Sequence, residues 1–146
     1  MRELVRTALV NRPPAVVFDL INDIASYPQF VPGCSAAQVL EANAQHIVAR
    51  LDVKRGPLHT HFTTRNRLSP PHEIHMDLID GPFRSLQGHW QLTPVGSGCR
   101  IELRLQFDFS NPLKATLLEP LLIDTANQLV QAFVRRAALS DAPAIS

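Results

Sequence analysis

The chain has 146 residues, 45% of them apolar and 18% charged, with a formal net charge of +1. That length and balance describe one globular domain with a sizeable core, and they exclude attraction of nucleic acid through overall charge. No run of 18 apolar residues is present, so nothing is expected to span a bilayer. Cys34 and Cys99 lie far apart and outside any CxxC pattern, which argues against a disulfide framework and suits a reducing cytosol.

Residues 3–10 are rich in strand formers. Asn11 offers a helix N-cap, and Pro13 and Pro14 suit the first turn of a helix carrying Val17, Phe18, Leu20 and Ile21 on its apolar face and ending near Asp23. A second, short helical turn is expected over 25–30, broken by Pro28 and Pro32 and closed by Gly33. From there the apolar period falls to two. Strands are predicted at 35–41, 46–54, 58–68, 73–80, 84–93 and 99–109. The breaks between them carry turn chemistry: Gly56-Pro57, Ser69-Pro70-Pro71, Asp80-Gly81-Pro82 and Gly96-Ser97-Gly98. In the last strand Cys99, Ile101, Leu103, Leu105, Phe107 and Phe109 alternate with polar residues, the mark of an antiparallel sheet wetted on one face. A long closing helix is predicted over 113–139, with Ala115, Leu118, Leu122, Ala126, Leu129, Phe133 and Ala137 on one stripe. Pro120 requires either a kink or a helix that starts near Glu119.

This order predicts an α+β fold: a curved antiparallel sheet of about seven strands wrapped around the C-terminal helix, with two short helices after the first strand. One domain is expected over 1–140, followed by a flexible tail over 141–146. A single helix laid in a curved sheet does not touch it everywhere. An empty pocket of ~300 Å³ would cost ~7 kcal/mol, so the hollow must collapse, hold water or hold a ligand.

Three stretches carry a family pattern: Tyr27-Pro-Gln-Phe-Val-Pro-Gly-Cys34, Thr64-Arg-Asn66, and Asp80-Gly-Pro-Phe83 followed by Trp90. With the element order, the chain from about Arg6 to Ala138 resembles the coenzyme-Q-binding family of START-like (helix-grip, polyketide cyclase-like) domains. The resemblance implies an apolar tunnel between sheet and final helix, no metal, no catalytic residue and no cofactor, with ubiquinone or a similar isoprenoid lipid as bound ligand. It also implies a second reading, since bacterial members are linked to binding the large ribosomal subunit and blocking subunit joining, with an antitoxin protein as a further partner. An oligoketide cyclase is a third reading, and it needs a general acid or base inside the tunnel. The expected location is the cytoplasm, with peripheral contact at the inner membrane.

Candidate ligand contacts follow from the inward positions. Phe30, Val31 and Pro32 form the expected rim, and Phe83 the opposite side. Phe62, Met76, Leu78, Trp90 and Leu103 come from the sheet, with Thr64 and Asn66 as polar contacts. Leu118, Leu122, Ala126, Leu129 and Phe133 come from the helix. The same residue types would equally fill a plain core. Arg50, Lys54, Arg65, Arg67, Arg100 and Arg104 collect on the outer face, either as an RNA-phosphate patch or as ordinary cross-strand ion pairs. His59, His61, His75 and His89 share that face, but no carboxylate or cysteine is seen to complete a metal set, and none is expected. The leading expectation is a non-enzymatic carrier of a hydrophobic quinone.

Overall fold

The computed structural model describes residues 2–139. Seven strands form one antiparallel sheet: β1 (Arg2–Val10), β2 (Cys34–Ala42), β3 (His46–Arg55), β4 (Leu58–Ser69), β5 (Glu73–Asp80), β6 (Phe83–Val95) and β7 (Gly98–Phe109), in the order β1-β7-β6-β5-β4-β3-β2. From β2 to β7 the strands run as a meander joined by short turns, at Asn43-Ala44-Gln45 between β2 and β3 and at the Gly and Pro clusters thereafter, and β1 closes beside β7. Register shifts in β2, between Thr63 and Thr64, and between Phe83 and Ser85 mark bulges, which bend and twist the strands that carry them.

Because β1 and β2 lie at opposite edges, their connection must cross the sheet. It does so with α1 (Pro14–Asn22), a 3₁₀ turn (Ile24–Ser26) and α2 (Tyr27–Phe30). The start of α1 differs from expectation. Asn11 lies too early to cap it; Pro13 is the N-cap residue, and its carbonyl accepts the Val16 N–H at 3.1 Å. Pro14 takes the first helical position, where a missing N–H costs nothing. Pro28 likewise stands in the first turn of α2 rather than breaking it.

The last element, α3 (Pro112–Leu139), runs unbroken through Pro120, which rules out a helix beginning near Glu119. It packs on β1 and β7, meets α1, and crosses β3 and β4. Its buried side is wider than the predicted stripe: Leu121, Thr125, Val130 and Ala132 are buried together with Leu122, Ala126, Phe133 and Ala137. The core lies between α3, α1 and the inward rows of β3 to β7. The tail over 141–146 falls outside the described residues.

Candidate functional site: a cavity under the final helix

Two aromatic groups bracket the space between α3 and the sheet. In one, Phe133 is fully buried and its ring lies 5.5 Å from Tyr27, 5.5 Å from Trp90 and 5.9 Å from Phe30. The Arg136 guanidinium sits 4.9 Å above the Phe30 ring. In the other, Phe83 stacks on Phe109 at 4.8 Å and meets Phe62 edge-on at 6.3 Å.

A cavity lies beside these groups, with room for about 80 Å³ of water-sized centres; the whole gap between its walls, including open solvent at its edge, is about 900 Å³. The first figure corresponds to roughly five to eight waters. A single ring therefore fits as the walls stand, while a longer chain requires flexible walls such as Met76 and Leu129 to move.

Of the residues expected to contact a ligand, Val31, Phe62, Thr64, Asn66, Met76, Trp90, Leu103, Leu122, Ala126 and Leu129 line this cavity. The others do not. Phe30 is covered by Arg136 and Phe133, and Pro32 is exposed, so this stretch contributes the buried Tyr27, Val31 and Cys34 to the lining instead. Phe83 and Leu118 border a second, much smaller void with Thr60 and Leu121. Leu78 packs against the core, and Phe133 is a plug rather than a wall.

Sequence reasoning missed Ile21, Ile24, Tyr27, Cys34, Ala49, Leu51, Val53, Ile74, Leu86, Gly88, Leu105 and Thr125 as lining residues. For Ala49, Leu51 and Val53 the signal was present in the strand alternation. Gly88 is a wall for a different reason: a Cβ there would lie 2.3 Å from Met76 Cε, so its absence lets Met76 lie across β6.

The polar chemistry of the cavity is sparse. Thr64 Oγ1 donates to Asn66 Oδ1 at 2.7 Å, Thr125 Oγ1 to the Leu121 carbonyl at 2.8 Å, and the Tyr27 hydroxyl to the Ile21 carbonyl. Burial pushes the Tyr27 phenol far above its ordinary range and the Cys34 thiol up to about 11. Each hydroxyl is thus spent within the protein. The Asn66 amide nitrogen has no hydrogen-bond partner among the described residues, which leaves it as the donor offered to the cavity. No carboxylate or imidazole lines the space among the described residues.

The outer face is laced with ion pairs. Arg50 bonds Asp52 at 2.9 Å, Arg67 bonds Asp77 at 3.2 Å, Arg104 reaches Glu3 and Glu102 at 3.2 Å, and Arg100 reaches Glu102 at 3.5 Å. The hydrogen bond from Arg50, aided by the nearby charges of Arg50, His59 and His61, holds the Asp52 carboxyl below its ordinary range. Of the six basic residues expected to form a patch on this face, Arg65 and Lys54 make no ion pair among the described residues.

A curved antiparallel sheet clasping a C-terminal helix over an apolar cavity defines a START-like helix-grip protein. The chain belongs to the family described as polyketide cyclase / dehydrase and lipid transport, whose model matches residues 10–134. It is 46% identical over 133 residues to the ribosome association toxin RatA of Pseudomonas aeruginosa, covering 90% of this chain and 92% of that one. It is 26% identical to a mitochondrial coenzyme Q-binding protein COQ10 homolog B of Xenopus laevis, covering 83% of this chain and 52% of that one. A START superfamily protein of Mycobacterium smegmatis shares the fold with a TM-score of 0.77 at 19% identity, covering 94% of this chain and 97% of that one. Among the described residues no helix is long and apolar enough to cross a membrane.

Proposed function

We propose that the protein is a ribosome-associating inhibitor of translation that binds the large ribosomal subunit and hinders subunit joining, with an antitoxin protein as its natural restraint. The observation that carries this reading is the 46% identity to a ribosome association toxin over nearly the whole of both chains. The quinone carrier that leads from sequence alone takes second place, because its relative is more distant and is matched over only 52% of its length. On the outer face, the basic residues free to meet RNA phosphate are Arg65 and Lys54; the paired arginines would first have to give up their carboxylates.

Cosedimentation with purified large subunits tests it. The protein is expected in the large-subunit fraction at low salt, with binding that weakens as salt rises and weakens further in Arg65→Glu. Absence from that fraction at low salt would sink the proposal.

A second reading concerns the cavity and has its own support. An apolar wall with one unspent amide donor suits a small hydrophobic ring bearing a carbonyl, such as a quinone head, with the Asn66 N–H donating to the carbonyl oxygen. No carboxylate or imidazole is among the described lining residues, and burial holds the Tyr27 and Cys34 protons in place, which favours binding over cyclisation chemistry.

A further inference from the structure

We propose a divalent-metal site on the outer face of the sheet, built by Glu73, His75 and His89, that takes Zn²⁺ and fastens β5 to β6. The register sets His75 directly opposite His89 across the β5–β6 ladder. Glu73 lies two residues before His75 and so shares its face. This is the carboxylate that the pattern of histidines alone did not reveal.

The three groups already converge. His89 Nε2 lies 3.0 Å and His75 Nε2 3.3 Å from the same oxygen, Glu73 Oε1, and the three ligand atoms all fall within 4.8 Å of one another. Zinc takes nitrogen and carboxylate ligands at about 2.0–2.1 Å in a tetrahedron, which spaces ligand atoms about 3.3–3.4 Å apart. The His75–Glu73 separation is at that spacing now, and the His89–Glu73 separation is slightly shorter. The imidazoles stack with centroids 4.3 Å apart and 13° between planes, and both side chains are partly exposed, so a ring rotation brings the third separation into range. Imidazole with carboxylate favours Zn²⁺ over Mg²⁺, which prefers an all-oxygen octahedron.

The electrostatics permit a cation. The neighbouring arginines are occupied, Arg67 by Asp77 and Arg104 by Glu3 and Glu102. The β5–β6 ladder is short, running only from the pair Glu73–Gln91 to the pair Asp77–Gln87, so a shared metal would add a fastening where few hydrogen bonds do.

Zinc titration of the untagged full chain, followed by calorimetry and thermal unfolding, tests this. The expected result is one Zn²⁺ per chain, a rise in Tm on binding, and no response to Mg²⁺. His89→Ala and Glu73→Gln are each expected to weaken uptake at least ~10-fold while leaving Tm in a chelator close to that of the parent. Ring-proton resonances of His75 and His89 should move before those of His59 and His61. No uptake by the parent overturns the site; so does uptake that persists unchanged in both variants, since the ion would then be held elsewhere.

Discussion

Gly98 shows how little room a single residue has in this fold. A Cβ there would lie 2.4 Å from the Val10 carbonyl oxygen and 3.2 Å from Asn11 Cα, both backbone atoms at the β1–β7 junction that cannot rotate away. Gly98→Ala is therefore expected to destabilise the protein by ~1–3 kcal/mol, measured as a lower urea midpoint at unchanged slope. Gly88→Ala gives the contrast. Its 2.3 Å clash is with the mobile end of Met76, which can swing into the cavity, so its cost in the same measurement should be smaller. Cys34 supplies a pH-dependent test. Its thiol, pushed up to about 11 mainly by burial, should hold roughly 100-fold less thiolate at pH 8 than the same thiol in urea-unfolded chain. Alkylation by iodoacetamide should slow by a comparable factor on folding. The sign for stability follows: the contribution is complete below the ordinary thiol pKa and is lost as pH climbs through about 11.

At the scale of the element, α3 holds the clearest anomaly. Pro120 is exposed within a continuous helix and has no N–H to give the turn before it. The carbonyl that loses its helical donor is that of Thr116, four residues earlier. An interior proline costs a helix ~3 kcal/mol, part of which is returned by a stiffer unfolded chain. Pro120→Ala is expected to stabilise by ~1–2 kcal/mol, seen as a higher Tm. What the sequence made legible follows from period. Alternation in β3 to β7 assigned the inward rows, and with them Thr64, Asn66, Met76, Trp90 and Leu103 of the cavity wall. A three-and-four stripe described α3 less well, because a gripped helix buries more than one stripe, and Leu121, Thr125 and Val130 fell outside it. The 27–34 stretch misled for a related reason. Aromatic and aliphatic residues on a loop say nothing of which side faces in, and here Tyr27 and Val31 turned inward while Pro32 turned out.

For the whole molecule, the question is whether the cavity and the proposed ribosome contact belong to one activity or two. They lie on opposite sides of the sheet if Arg65 and Lys54 make the RNA contact, so substitutions can separate them. Ala126 is 3% exposed and lines the cavity from α3. Ala126→Leu should fill much of the free space. Trp90, the sole tryptophan, lines the same cavity and reports on its contents. A short-chain quinone is expected to quench Trp90 fluorescence saturably in the parent and not in Ala126→Leu. In Asn66→Leu the affinity should fall up to ~10-fold, as for loss of one hydrogen bond. Large-subunit cosedimentation should survive both cavity substitutions and fail in Arg65→Glu. If Ala126→Leu instead abolishes cosedimentation while keeping its fold, the two faces are not independent. The bulged sheet between them would then carry the coupling, and the cavity would act as a regulator of ribosome binding rather than as a separate carrier.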